Sequence, residues 1–268
     1  MTKNWTAAVI QMVSGTDIPT NLARARHWVA EAAAQGAQLV VLPEYFAIMG
    51  HSDKDKVAQR ETFGEGPIQA ALQQMAQQHQ IWLIGGTLPL DAGNDEKVWN
   101  TTLVFNPAGE CCSRYDKVHL FGFSGLGERY AEADTIEPGT ARVVADTPFG
   151  RLGLSVCYDL RFPELFRGMG EVDAIILPAA FTATTGQAHW EPLLRARAIE
   201  NQCYVLASAQ GGEHENGRKT HGHSMIIDPW GRILGELPQG EGVVVAEINP
   251  SLTESVRTRL PALRHRIF

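Results

Sequence analysis

The stretch LGLSVCYDLRFPEL (residues 152–165) sets both the fold and the chemistry in question. Its first half is an apolar run of strand composition that ends on Cys157. Its second half turns polar at Tyr158, Asp159 and Arg161 and opens a helix at Pro163, where the fixed φ suits the first turn and the missing N–H is no loss. A strand holds the sulfur rigidly, and the turn beyond it exposes the atom to a substrate.

Runs of the same kind recur along the chain: AAVIQM (7–12), AQLVVLPEY (37–45), IWLIGGTL (81–88), TTLVFNP (101–107), AIILPAA (174–180), CYVLASAQ (203–210), SMIIDPWG (224–231) and VVVAEINP (243–250). Most are apolar on both faces, the pattern of strands covered on two sides. Helical spacing separates several of them. TNLARARHWVAEAAAQG (20–36) offers Thr20 or Asn21 as a cap, Leu22, Ala25, Val29 and Ala32 on one face, and Gly36 as a stop. PIQAALQQMAQQHQ (67–80) starts at Pro67 and aligns Ile68, Leu72 and Met75; RFPELFRGMG and HWEPLLRARAIENQ supply two more helices. LVFNPAGECCSRY (103–115) and MIIDPWGRILGEL (225–237) read strand, Pro-x-Gly turn, strand, and predict antiparallel hairpins. Their likeness suggests two related halves, although a shared turn type would produce it as well. The expectation is one α/β domain over residues 1–268, a mixed sheet with helices outside.

With 268 residues and 44% apolar content the chain can bury a large core, and its formal charge of −7 argues against a nucleic-acid binder. The apolar runs fall far short of the roughly 20 residues that cross a bilayer. The four cysteines, two of them adjacent and without a secretory leader before them, fit reduced thiols and predict a cytoplasmic protein.

Ligands of open α/β folds gather at the carboxyl ends of strands. Three reactive side chains belong there: Glu44 closing QLVVLPEYF, Lys117 in SRYDKVHLF, and Cys157. Singly, each has a bland reading as turn acid, surface charge or small core hydrophobe. Together they compose a mechanism: a carboxylate takes the thiol proton, and an ammonium holds the oxyanion formed when sulfur adds to a carbonyl or nitrile carbon. The backbone N–H of Tyr158 is a second candidate oxyanion donor.

LPEYF, YDKVHLF and SVCYDLRFPEL, in this order, resemble the Glu, Lys and Cys signatures of the nitrilase (carbon-nitrogen hydrolase) superfamily, and the likeness runs from AAVIQM to VVVAEINP. AHWEPLLRARAIENQCYVLASAQ and GHSMIIDPWG are similar to its Nit branch. The resemblance implies a four-layer αββα sandwich with mixed sheets that forms a homodimer or larger homo-oligomer, without metal or organic cofactor. It implies Glu44 as general base, Lys117 as stabiliser of the tetrahedral intermediate and Cys157 as nucleophile of a thioester pathway. A second glutamate is implied between the Lys and Cys motifs, and Glu132 fits its place before EPG better than Glu128 does. The implied reaction is hydrolysis of a small-molecule amide, foremost deaminated glutathione to 2-oxoglutarate and cysteinylglycine. A short dicarboxylic monoamide such as 2-oxoglutaramate is the alternative; nitrile hydrolysis and a non-catalytic binding role rank lower. The stretch VHLFGFSGLGERYA departs from the Phe-Asp-x-x-x-Pro-Gly wording of eukaryotic Nit proteins, and a loop there commonly shapes the pocket, so the resemblance carries the chemistry further than the substrate.

Other residues have two readings each. Arg161 is either a bidentate fork for a substrate carboxylate or a salt-bridge partner of Asp159 or Glu164. Phe181 and Thr182, following a strand, either line the pocket or, for Phe181, fill core. His214, His221 and His223 lack the further ligands a metal site needs. Cys111 and Cys112 are assigned to packing, and Cys203 to a buried, inert place. RARAIENQ, with Leu194, Ala198 and Ile199 apolar, is placed near a dimer contact, and the basic tail VRTRLPALRHRIF is expected to pack on a partner subunit.

Overall fold

A computed structural model describes residues 3–125 and 128–267. The chain begins with β1 (Trp5–Gln11), α1 (Ile18–Ala34), β2 (Leu39–Val41), the short α2 (Asp55–Ala58), α3 (Pro67–His79) and β3 (Trp82–Ile84). It continues through β4 (Leu88–Asp91), β5 (Val98–Phe105), β6 (Cys111–Asp116) and a hairpin of β7 (Gly122–Gly125) and β8 (Glu128–Ala131). Then follow β9 (Val144–Thr147), β10 (Gly150–Leu154), α4 (Pro163–Gly168), β11 (Ala174–Ala179), α5 (Ala183–Asn201) and β12 (Tyr204–Ala209). The last elements are β13 (Ser224–Ile227), β14 (Ile233–Leu237), β15 (Gly242–Ile248) and α6 (Pro250–Arg259).

Two mixed sheets result. One runs β15-β1-β2-β3-β5-β4 with β6 also on β5, and the other runs β14-β13-β12-β11-β10-β9. In each, three parallel strands (β1-β2-β3 and β10-β11-β12) carry one antiparallel neighbour on one side and an antiparallel hairpin on the other. The hairpins are the ones the two Pro-x-Gly stretches predict, β5–β6 and β13–β14.

The period-2 alternation of β1 explains the layering. Ala7 and Val9 join Leu39 and Val41 in a core shared with Leu152, Leu154, Ile175 and Leu177 of the second sheet. Ala8 and Ile10 face the other way, with Val40 and Leu42, onto Ala25 and Val29 of α1 and Ile68 and Leu72 of α3. Trp190, Leu194 and Ala198 of α5 and Phe166 of α4 cover the second sheet. The order of layers is therefore helices, sheet, sheet, helices, the expected αββα sandwich.

Local details depart from the sequence expectations. Asp17, not Thr20 or Asn21, caps α1: its carboxylate accepts the Thr20 N–H (2.9 Å). Asn21 lies inside the first turn, where its buried amide bonds Gly15 and Ala47 instead. Helix α5 begins six residues before His189 because Thr182 accepts the Thr185 N–H there, and Pro192 is carried in its interior. Cys111 and Cys112 are exposed on β6 rather than packed, and Ile199 is exposed while Leu194 and Ala198 are buried. Cys203 is buried as expected, and burial pushes its thiol up to about 12.

Candidate active site

Strand β10 stops at Leu154, so Cys157 is not the last strand residue but the first of a 3-10 turn, Cys157–Arg161. Its φ of +48° lies in the left-handed region, which costs a residue with a Cβ about 1–2 kcal/mol. Strain of this kind persists only where the surroundings over-determine it. Here the determinant is Asp159, fully buried. Its Oδ2 accepts the Val156 N–H (2.8 Å) and the Tyr115 hydroxyl (2.7 Å), and its Oδ1 accepts the His119 N–H (3.1 Å) and contacts His119 Nδ1 (2.7 Å). One carboxylate thus pins the turn of Cys157 to the two sides of Lys117.

Glu44 follows β2, and Lys117 follows β6 at the rim of the same sheet. Both are buried, Lys117 completely. An unpaired ammonium could not remain charged in such a place. It is paired twice: Lys117 Nζ donates to Glu44 Oε1 at 2.9 Å and to Glu132 at 2.8 and 3.0 Å. The other lone pairs are also used. Glu44 accepts the Asn100 side-chain amide (2.9 Å) and the Ala180 N–H (2.8 Å), while Glu132 accepts the Tyr45 hydroxyl (2.9 Å) and the Phe121 N–H (2.7 Å).

The electrostatics follow from this arrangement. Burial works against the Lys117 charge, but Glu132 and Glu44 outweigh it and hold the ammonium above its ordinary range. Burial works against the Glu132 charge too, and there the Lys117 ammonium prevails, with Lys56 and the Phe121 N–H helping to keep the carboxyl below its ordinary range. Cys157 is pushed well up by burial and by the Glu44 charge, with Lys117 pulling the other way. Cys157 therefore rests as a thiol. Two carboxylates and one ammonium give the three side chains a charge of −1. Moving the thiol proton onto Glu44 leaves the total of these three side chains and Cys157 at −1, whereas losing it to solvent would add a second buried negative charge.

The sulfur faces a pocket lined by Phe121, Tyr158, Ala180, Phe181, Thr182 and Thr185. Phe181 also packs on Trp190, with ring centroids 5.0 Å apart, so both readings of it hold. Thr182 lines the pocket while capping α5. Arg161 pairs with neither Asp159 nor Glu164. Its Nη1 meets His189 Nδ1 at 3.2 Å, and its guanidinium lies over the Tyr158 and Phe181 rings at 5.7 and 5.1 Å. His214 bonds the Ser14 carbonyl and the Thr220 hydroxyl, both at 2.8 Å, and burial holds it below its ordinary range. Among the described residues no cluster of three or more His, Cys, Asp or Glu is placed to hold a metal. The stretch 121–131 forms the β7–β8 hairpin, except that residues 126 and 127 lie outside the described residues.

Several site residues escaped the sequence reading. Asn100 and Tyr45 hold the two glutamates but stand in ordinary strand and turn contexts. Asp159 stands in the opening stretch, where the sequence offers it only as a partner for Arg161; its adjacency to the cysteine turn is the available signal. The Ala180 N–H leaves no trace in a sequence.

A Glu–Lys–Glu cluster beside a cysteine, set at the strand ends of an αββα sandwich, defines the class of nitrilase-type hydrolases. The family model for carbon-nitrogen hydrolases matches residues 6–258, and the chain belongs to that family. It is 44% identical over 272 residues to the deaminated glutathione amidase of Synechocystis sp. (strain PCC 6803 / GT-S), covering 99% of each chain, and 40% identical over 271 residues to that of Yersinia enterocolitica, covering 99% of this chain and 94% of the relative. Among solved structures, the C. elegans NitFhit protein superposes with a TM-score of 0.89 at 38% identity, over 99% of this chain and 66% of that one. Saccharomyces cerevisiae Nit3 superposes with a TM-score of 0.88 at 32% identity, over 99% and 97%.

Proposed function

We propose that the chain is an amidase that hydrolyses deaminated glutathione to 2-oxoglutarate and cysteinylglycine through a thioester on Cys157. The observation that carries this reading is the Lys117 ammonium bridging Glu44 and Glu132 in a buried cluster whose charges act on the Cys157 thiol. The names of the relatives at 44% and 40% identity supply the substrate.

The reaction runs in two halves. The Cys157 thiol gives its proton to Glu44 as sulfur bonds the amide carbon, and the carbonyl electron pair moves onto oxygen. Lys117 and the Tyr158 N–H hold that oxyanion; a preorganised donor of this type is worth roughly 3–4 kcal/mol of barrier. Collapse re-forms the carbonyl and breaks the C–N bond, and the departing amine takes the proton from Glu44. Water then yields a proton to Glu44 and attacks the thioester. The C–S bond breaks, the carboxylic acid leaves, and Glu44 returns the proton to sulfur. Glu132 keeps Lys117 charged and in place throughout, and Arg161 with Phe181 and Thr182 receives the acyl arm. In this reading the protein works on a free small molecule, as a homodimer, in the cytoplasm.

The test is comparative kinetics on deaminated glutathione and 2-oxoglutaramate, which share the acyl half, with Cys157→Ala as the control and mass spectrometry of quenched enzyme for the acyl adduct. A higher kcat/KM on deaminated glutathione and an adduct confined to Cys157 bear the proposal out. Preference for 2-oxoglutaramate transfers the reading to an ω-amidase, and turnover by Cys157→Ala ends it.

A further inference from the structure

A cavity of about 570 Å³ opens beside the catalytic cluster, inside the range of ligand sites. Its walls include Tyr45, Lys56, Arg129, Tyr130, Arg218 and Lys219. Four of its lining side chains are cationic and one, Asp53, is a carboxylate, on a chain whose formal charge is −7. Asp53 pairs with Lys56 (3.0 Å) and Lys219 pairs with Glu213 (3.2 Å). Among the described residues no carboxylate forms an ion pair with Arg218. Its guanidinium has five donors, of which the described bonds use one to the Ala180 carbonyl (3.2 Å) and one to the Met49 sulfur (3.9 Å). Its Nε is enclosed without an acceptor.

Among the described residues the cavity and the thiol pocket have no lining residue in common, but direct contacts join them. Ala180 accepts from Arg218 on one side, gives its N–H to Glu44, and lines the pocket over Cys157. Tyr45 lines the cavity and donates to Glu132. Tyr130 lines it too and stands against Phe121 of the thiol pocket, with ring centroids 5.3 Å apart. The thiol pocket itself has a volume of about 10 Å³, room for about one water, so both arms of a substrate have to lie outside it. Arg161 stands on the Phe181 and Tyr158 side. Arg218 and Arg129 line the neighbouring cavity, with Arg218 on the Ala180 carbonyl.

We propose that this cavity is the subsite for the departing amine, and that Arg218, assisted by Arg129 and Lys56, binds a carboxylate carried by that amine. The substrate class is thus an amide with an anion at each end: one on the acyl arm, the other on the leaving group, as at the C-terminus of a peptide. This rests on the proposed amidase reading and deepens it. A carboxylate would give Arg218 the charge-assisted partner it lacks. Arg129 and Tyr130 belong to β8, within the stretch where the sequence departs from eukaryotic Nit wording, so the chain's own hairpin builds this wall.

The test separates the two claims. Cysteinylglycine and its C-terminal amide are titrated by calorimetry into the Cys157→Ala protein, which requires no turnover. The dipeptide is expected to bind at least tenfold more tightly than the amide, with the preference falling to less than threefold in Arg218→Gln and in Arg129→Gln backgrounds. The second variant is exposed and keeps the test valid if the first folds poorly. In the kinetic arm, the ratio of kcat/KM for deaminated glutathione to that for 2-oxoglutaramate is expected to fall at least tenfold in Arg129→Gln. Equal binding of dipeptide and amide, no dipeptide binding at millimolar concentration, or an unchanged ratio overturns the subsite. If the dipeptide preference holds while neither amide is hydrolysed, the carboxylate-binding site at Arg218 stands, while the amidase reading and the leaving-group role built on it fall.

Discussion

Glu132→Gln is the perturbation that separates a charge-balancing role from a spacing role. The substitution keeps the side chain's shape and removes its charge. Glu132 accepts two bonds from Lys117, at 2.8 and 3.0 Å, and a glutamine can accept with one oxygen only, presenting an NH2 group to the ammonium at the other position. A bond to a charged group is worth about 1.5–3 kcal/mol, so Lys117 loses roughly 2–3 kcal/mol of positioning, a fall of about 30- to 150-fold in kcat. The thiol responds in the opposite direction. The Glu132 charge is one of the influences that raise Cys157, and its removal takes the cluster from −1 to neutral, so the thiol ionises more readily. Alkylation of the free enzyme by iodoacetamide, followed at Cys157 by mass spectrometry between pH 7 and 9, is therefore faster in the variant although turnover is slower. Alkylation that slows or stays level, or a kcat within threefold of the parent, would refute the argument.

Asp159→Asn removes the charge that collects bonds from Val156, Tyr115 and His119, and is expected to cost about 3 kcal/mol; at roughly 2–4 °C per kcal/mol for a chain of this length, calorimetry should show Tm falling by about 6–12 °C. Gly86 has φ +54°, and a Cβ there would lie 2.2 Å from the Pro43 carbonyl oxygen, so Gly86→Ala should displace the segment that leads into Glu44 and lower both Tm and kcat; an active, equally stable variant contradicts this. His221 is held down to about 4 by burial and by His223, below its unfolded value near 6.5, so its contribution to stability is complete above pH 6.5 and is lost as the pH falls towards 4. Urea midpoints should drop between pH 7 and pH 5, and His221→Gln should flatten that drop.

By itself the sequence determined the elements and the reactive residue types. Apolar runs of period 2, helical faces of period 3.6 and two Pro-x-Gly turns are local signals, and local chemistry decides them: β5–β6 and β13–β14 formed where the turns required, and α3 buried Ile68, Leu72 and Met75 as spaced. Glu44, Lys117 and Cys157 were visible because each stands just past a strand-like run. Two shifts were beyond local reading. Asp17 rather than Thr20 or Asn21 caps α1, with the Asn21 amide bonded to Gly15 and Ala47, and Cys157 lies past its strand in a turn that Asp159 ties to Tyr115 and His119. Only the tertiary structure decided the state of the site. Whether Lys117 is charged, whether Cys157 rests as a thiol, and whether Arg218 has a carboxylate partner depend on burial and on contacts between residues 15 to 166 positions apart, as with Glu132 on Lys117 and Gln210 on the Glu44 carbonyl. Electrostatic free energy belongs to the distances between charges and the water excluded around them, and neither quantity exists until the two sheets have closed on each other.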